Sequence, residues 1–548
     1  MGLNKPLRRS RRRGRALPFF LLSVYVLAAF PSAFAQGREE RNESPPDQVV
    51  YRRPLGADPA TLDPARIRDI YSFSVSQQIF DGLVQFDQTL TITPALARFW
   101  KASRDGLTWT FVLRKEVKFH HGREVTADDV VYSFTRILDP KVKSGAADLF
   151  IGIKGAQEFR EGRAKHVAGL SALDRYTVRV VLEAAPVPFV SVLAVGHAKI
   201  VPKEVVEREG EAFGTHPIGT GPFKFVRWER GKEIVLAANP EYFDGAPRLS
   251  RLIYRVFTGE QADAMYEEFQ KGNLEDTPIP TRNYLGILGR KTHIYVKRPM
   301  LSVRFYGFNT RIKPFQDRRV RQAFLYAVNR EALVDEAFLG RYTVARGILP
   351  PGTLGYNPNL KGYPYDPESA RQLLARAGHP DGDGLPPIAI WTGIKQDEFV
   401  RMYSLIKKDL QAVGIQAEIS YETSWPSFSK LLAEGKFPVF LYTWYADIPD
   451  PDNFLFKLFY SRSPRNLFGY NNRAVDDLLI EARNERDLRR RVELYRRAEQ
   501  LIMDDAPLIP IFHYTYERLF QPHVKSVEVN GLGDPYIPLR KIWIERPR

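Results

Sequence analysis

Residues Tyr442-Thr443-Trp444-Tyr445-Ala446-Asp447 set a carboxylate at the end of an aromatic run. Phe440–Tyr445 reads as a buried strand, and Asp447 comes just past its end, ahead of the turn Pro449-Asp450-Pro451. Strand ends that face a cleft are where open α/β sheets take ligands. A lone carboxylate among aromatic rings is costly unless a cation or donors compensate it. A ligand ammonium would do so. The other reading is local, with Asp447 capping the turn that follows. Both stay open at this level. Trp391, Trp425 and Trp444 are candidates to line side-chain pockets, and core packing is an equal reading for each.

Other constellations argue against catalysis. Gly219-Thr220-Gly221-Pro222 lacks the Lys-Ser/Thr end of a phosphate loop, and its Pro removes an amide donor, so it reads as a structural turn. His120-His121 lie side by side on an extended segment and point to opposite faces, which serves one metal ion poorly. His197, His216 and His513 are scattered and read as structural. No G-x-S-x-G occurs, and a chain with 0 Cys has no thiol nucleophile, disulfide or thiolate metal site. The acid pairs Asp128-Asp129 and Asp476-Asp477 fall at helix starts, where capping explains them.

The elements around these residues are legible in the pattern. Leu107, Trp109, Phe111 and Leu113 alternate as a half-buried strand, a second short strand ends at Phe119, and Thr126 caps a helix carrying Val130, Phe134, Ile137 and Leu138. Ser74–Leu83 reads as a helix entering the strand Val84-Gln85-Phe86. Tyr176–Leu182 is a strand, and Val226–Leu236 holds two strands about Glu229-Arg230-Gly231. The second half changes character. Asp317 caps one helix, Asp366-Pro367-Glu368 starts another that ends at Gly378, and Phe399 to Val413 forms a third that Gly414 stops before the strand Ile415–Tyr421.

The segment Asp105–Leu138, DGLTWTFVLRKEVKFHHGREVTADDVVYSFTRIL, resembles a signature of the family 5 extracellular solute-binding proteins, the dipeptide-, oligopeptide- and nickel-binding receptors of ABC importers. Pro217–Phe223, Gly307–Thr310 with Pro314-Phe315 and Asp317–Ala323, Tyr365-Asp366-Pro367 and Asp447–Pro451 extend the resemblance, in order, over nearly the whole chain. It implies an α/β periplasmic-binding-protein fold of type II, two lobes with an extra domain in the amino-terminal one. The implied domains are 49–78 with 195–304 and 509–548, then 79–194, then 305–508 as the second lobe, with crossings near Phe305 and Ile509. A ligand would sit between lobes that close on it. The resemblance places Asp447 where peptide-binding members hold the ligand's α-amino group, with Trp444 and Tyr445 beside it. It places Lys395 near where dipeptide-specific members have an Arg for the carboxylate, a point charge in place of a bidentate fork. Tyr71, after the turn Thr61–Pro64, matches a cleft-facing segment of the amino-terminal lobe.

Charge and targeting agree with an exported receptor. Residues 1–35 carry a basic head from Lys5 to Arg15 with no acid, an apolar run Ala16–Phe30, and Ala33-Phe34-Ala35 as a small-x-small site. This predicts cleavage between Ala35 and Gln36, no lipid anchor, and a mobile lead-in over 36–48. Much of the net charge of +16 leaves with that head, and no basic block as dense recurs, which argues against nucleic acid. The expectation is a monomeric periplasmic receptor, without cofactor, metal or enzymatic activity, that binds a peptide or peptide-like solute and serves an inner-membrane ABC permease. A nickel-chelate or oligosaccharide receptor is the alternative within the class. A secreted hydrolase, the rival outside it, needs a nucleophile, base or metal set that the sequence does not show.

Overall fold

A computed structural model describes residues 49–259, 261–282 and 284–545. The targeting segment 1–35 and the lead-in 36–48 lie outside the described residues. Two bodies of sheet follow from the alternation of buried positions. In the amino-terminal lobe, Val50–Leu55 pairs in parallel with Arg251–Val256, which continues antiparallel into Glu233–Ala238 and Phe223–Glu229. A three-stranded sheet of Asp276–Pro278, Thr515–Phe520 and Ile294–Pro299 stands beside it. Two Arg and two Asp knit these pieces internally. Arg53 reaches Asp534 at 2.6 Å and Asp276 at 3.5 Å, while Arg518 pairs with Asp276 and meets Asp534 at 3.2 Å.

An antiparallel sheet, Ala97–Ala102, Thr108–Leu113, Thr177–Val181 and Leu170–Asp174, forms the rest of this lobe. Helix Ala127–Leu138 covers it with Val130, Phe134, Ile137 and Leu138, as its spacing requires. Thr126 begins that helix, and its N–H donates to Asp129 Oδ2 at 2.9 Å. The second strand expected before Phe119 is absent. Phe119 N–H bonds the Arg123 carbonyl at 2.8 Å, so the chain turns back through a tight loop and leaves only the bridge Lys118–Glu124.

The second lobe is built on one mixed sheet of six strands, in the order Thr343–Val344, Leu508–His513, Ser302–Phe308, Val439–Tyr445, Ile388–Thr392, Ala417–Tyr421. Helices Arg318–Ala327, Pro367–Arg376, Asp397–Gln411 and Leu488–Asp505 cover it. Asp317 and Asp366 cap as the sequence predicts, accepting from Arg319 N at 2.8 Å and Ser369 N at 3.0 Å. Gly378 and Gly414 take φ of +91° and +87°, the left-handed C-terminal turn. Asp476 departs from expectation. Asn472 caps its helix instead, and Asp476 accepts from Ser461 N at 2.8 Å.

The chain changes sheet between Pro299 and Ser302 and again at Tyr514, a few residues from Phe305 and Ile509, because Ser302–Phe308 and Leu508–His513 both belong whole to the six-stranded sheet. The two crossings touch. Met300 N–H donates to the Tyr514 carbonyl at 2.9 Å, and His513 Nδ1 lies 2.7 Å from the Ser302 carbonyl. Far from these crossings the lobes meet at a rim. Val187 N–H donates to the Arg483 carbonyl at 3.0 Å, and Arg486 Nη1 donates to the Arg104 carbonyl at 2.7 Å. Ile448 of the second lobe is buried in the amino-terminal lobe's core.

Candidate functional site

Strand Val439–Tyr445 lies inside the six-stranded sheet, between Ser302–Phe308 and Ile388–Thr392, so its side chains have little freedom. It runs out at Tyr445, and the next residues enter the gap between the lobes. The turn behind is fixed by Asp450, whose carboxylate takes both arms of the buried Arg491 at 2.8 and 2.7 Å. Asp447 projects into a cavity of about 890 Å³. Its floor is Tyr442–Tyr445 with helix Leu455–Phe459, and its far wall, from the amino-terminal lobe, sets the apolar Leu149, Ile153, Leu182 and Phe189 among Arg68, Asp148, Glu183 and His197. Ligand pockets run roughly 300–1,000 Å³, so this volume suits a small organic solute.

The carboxylate at the strand end is not alone, contrary to the sequence reading. Lys457, ten residues on, donates to Asp447 Oδ2 at 2.8 Å. Asn453 Nδ2 donates to the same oxygen at 3.3 Å, while Asn453 Oδ1 accepts from Asp447 N–H at 3.1 Å and Trp444 Nε1 at 3.3 Å. Helix Leu455–Phe459 starts straight after the Pro451–Asn453 turn, which brings Lys457 back over the Trp444 ring at 5.6 Å. Enclosure in the cleft pushes the Asp447 carboxyl up. The Lys457 charge and the hydrogen bonds from Lys457 and Asn453 outweigh it and hold the group below the usual carboxylate range. The side chain is 43 % exposed, so one side of the carboxylate still meets the cavity.

Of the residues singled out in the sequence, Asp447, Trp444 and Tyr445 come together on this cavity. Tyr445 is 48 % exposed and stacks on Tyr514 with ring centres 5.6 Å apart. Trp425, exposed at the start of helix Trp425–Ala433, reaches the site only through Tyr442, on whose ring it stacks at 6.1 Å. Trp391, Lys395 and Tyr71 do not line the cavity. Trp391 stacks on Phe437 at 4.7 Å, a packing contact. The Lys395 ammonium stands 4.8 Å over the Tyr421 ring. Tyr71 lies against the core of the amino-terminal lobe, so close to Gly56 that a Cβ there would be 2.9 Å from its hydroxyl. Lys457, Asn453 and the arginines Arg68, Arg462 and Arg465 were not foreseen. Helical periodicity shows that a helix follows Pro451 but not which lysine turns back to Asp447.

His197, read as structural from the sequence, lines the cavity near Asp447, whereas the glycine turn and the adjacent histidines have packing roles. A Cβ on Gly219 would meet the Ile79 carbonyl oxygen at 2.1 Å, and Thr220 Oγ1 donates to Asp81 Oδ2 at 2.8 Å, which makes the Gly-Thr-Gly-Pro turn a packing device. His120 faces the Gly221 carbonyl at 3.0 Å, whereas His121 meets Glu204 at 3.0 Å. Among the described residues no group of three His, Cys, Asp or Glu converges as a metal site.

Comparison with known proteins agrees with this architecture. The family model "Bacterial extracellular solute-binding proteins, family 5 Middle" matches residues 91–466. The chain is 32 % identical to heme-binding protein A of Haemophilus influenzae over 93 % of its own length and 96 % of that protein's. It is 32 % identical to the dipeptide-binding protein of Escherichia coli K12, over 84 % and 88 %. Among solved structures, the ABC transporter-associated periplasmic binding protein DppA from Helicobacter pylori, in complex with the peptide STSA, superposes with a TM-score of 0.77 at 29 % identity, covering 91 % of this chain and 98 % of that one. The family and these relatives are binding proteins, and their fold is the two-lobed α/β type that the sequence implies. The chain belongs to the bacterial extracellular solute-binding proteins, family 5.

Proposed function

We propose that this protein is the periplasmic solute receptor of an ABC importer, and that its ligand is a peptide or peptide-like solute held between the two lobes and handed to an inner-membrane permease. The observation that carries the reading is the cavity of about 890 Å³ between the lobes, with a partly exposed carboxylate at the end of an aromatic strand. Asp447 takes the ligand's α-amino group, sharing it with Lys457 or displacing that ammonium. Trp444 and Tyr445 supply apolar surface, and Trp425 extends it through Tyr442. The chain acts as a monomer and does no chemistry on its cargo. The lobes turn about the adjoining crossings at Met300 and Tyr514, and ligand favours the closed state only through its greater affinity for that state.

Support comes from relatives described as binding a dipeptide or solved with the peptide STSA. An exposed Trp425 stacked beside Tyr442 also offers the aromatic platform that an oligosaccharide wants. Mass spectrometry of material released from gently purified protein separates the two. Short peptides are expected, and a sugar or a metal chelate as the principal species overturns the peptide reading.

A further inference from the structure

Arg304 lies on the central strand Ser302–Phe308, directly opposite Thr443, and only 6 % of it is exposed. It is a buried guanidinium with no carboxylate partner among the described residues. Its one hydrogen bond runs from Nη2 to the Tyr514 hydroxyl. The plane otherwise rests on aromatic faces, 4.8 Å over Phe399 and 5.5 Å over Tyr514. Nε is wholly buried and has no partner, and the hydroxyl of Thr443 across the ladder is in the same condition. Aromatic rings offset part of the cost of burying a guanidinium, but its in-plane donors want an anion. Of the other buried Arg groups, Arg491 has Asp450 and Arg53 has Asp534, whereas Arg321 and Arg330 spread their donors over several backbone carbonyls, a satisfaction that Arg304 also lacks.

The position of this incomplete pair bears on the ligand. Tyr514, which holds Arg304, is also the residue at which the chain crosses between lobes, and its ring stacks on the half-exposed Tyr445 of the cavity. Phe399 belongs to the first turn of helix Asp397–Gln411, and neither Asp397 nor Glu398 of that turn pairs with Arg304. Lys395, the residue the sequence offered as the ligand's cation, is turned onto Tyr421 instead.

We infer that Arg304 is the carboxylate subsite of the receptor, reached when Tyr445 swings off Tyr514, so that a ligand spans from Asp447 at its ammonium end to Arg304 at its carboxylate end. This rests on the peptide-receptor reading above and narrows it to zwitterionic ligands with a free carboxyl terminus. Thr443, the ladder partner of Arg304, is four residues from Asp447. That is at most about 14 Å of chain, the reach of a peptide of roughly two to four residues.

The test equilibrates the protein with a mixed library of di- to tetrapeptides, supplied both as free acids and as carboxyl-terminal amides, and reads retained species by mass spectrometry. Wild type should retain free acids over the matching amides by about tenfold to a hundredfold, the weight of a charge-assisted hydrogen bond. Arg304→Met, which fills the buried space with an apolar chain, should retain acid and amide alike, while Arg304→Lys should keep a reduced preference for the acid. Melting of each variant confirms the fold. If Arg304→Met keeps the full preference for acids, or loses acids and amides equally, Arg304 is structural and the inference fails while the peptide reading stands. If wild type retains no peptide in either form, both fall.

Discussion

Replacing Asp447 by Asn tests the amine anchor with the least disturbance of shape. The amide can still accept from Asn453, so what disappears is the charge facing Lys457 and the cavity. A fully buried ion pair that loses one member costs about 3–5 kcal/mol. That figure is too large here, because the side chain is 43 % exposed and Lys457 already occupies one oxygen. A hydrogen bond to a charged group, about 1.5–3 kcal/mol, is the better measure, equivalent to roughly a tenfold to hundredfold rise in Kd. The effect on folding should be small, because an exposed pair contributes about 0–1 kcal/mol. Calorimetric titration at pH 7 with a peptide found to bind, and with its N-acetylated form, gives the comparison. Wild type should prefer the free amine, and Asp447→Asn should bind both forms at the acetylated level. Lys457→Met should move the other way and tighten binding of the free amine, since it removes the internal competitor. Equal affinity of wild type and Asp447→Asn for the free-amine peptide refutes the reasoning and leaves Asp447 as the anchor of its own turn.

Amino-terminal sequencing of periplasmic material should begin at Gln36, and an intact amino terminus in a membrane fraction would sink the export expectation. Ligand at a hundredfold excess over Kd should stabilise the fold by about 2.7 kcal/mol and reduce the radius of gyration in small-angle scattering; an unchanged radius at saturation counts against hinge closure. Burial raises Glu499, which accepts from Ile348 N and Leu349 N at 2.8 Å each, to a pKa of about 7. The folded state then holds a proton that the unfolded chain gives up near 4.5, so stability falls as pH rises from about 4.5 to about 7, by roughly 3 kcal/mol. Glu499→Gln should abolish that slope and raise the melting temperature at pH 8 but not at pH 4.5, and parallel melting curves for the two proteins would contradict it. His513 runs the opposite way. Burial lowers it to about 4, so its share of stability is lost as pH falls below about 6.5, and His513→Gln should flatten the acid limb of the curve.

Local chemistry made most elements readable from sequence. Thr126, Asp317 and Asp366 start helices because a short acceptor side chain there meets free backbone donors, and Gly378 and Gly414 end them because the chain must turn left-handed. Asp447, Trp444 and Tyr445, which line one cavity, were legible as a candidate site because an aromatic strand with an acid past its end is unusual whatever the tertiary context. What stayed hidden depends on where helices point. Lys457 neutralises Asp447 because one short helix doubles back over Trp444. Lys395 stands on Tyr421 because the strand just before it, Ile388–Thr392, runs parallel beside Ala417–Tyr421 and the two end together. Arg304 shows nothing locally. In a strand it looks like any outward base until the helix bearing Phe399 is laid across it.

The rim contacts bear on how such a receptor ranks its cargo. Val187 to Arg483 joins backbone to backbone, and Arg486 to Arg104 ends on a backbone carbonyl. Arg483 also lines the cavity, but Arg486 and Arg104 do not, so the free energy of their contact is a constant added to the affinity for every cargo. Strengthening Arg486 would move a whole table of dissociation constants together, and deleting it would relax them all by one factor with their order preserved. The avidity of the receptor and its taste for one solute over another are therefore separately adjustable, the first at the rim and the second at the walls.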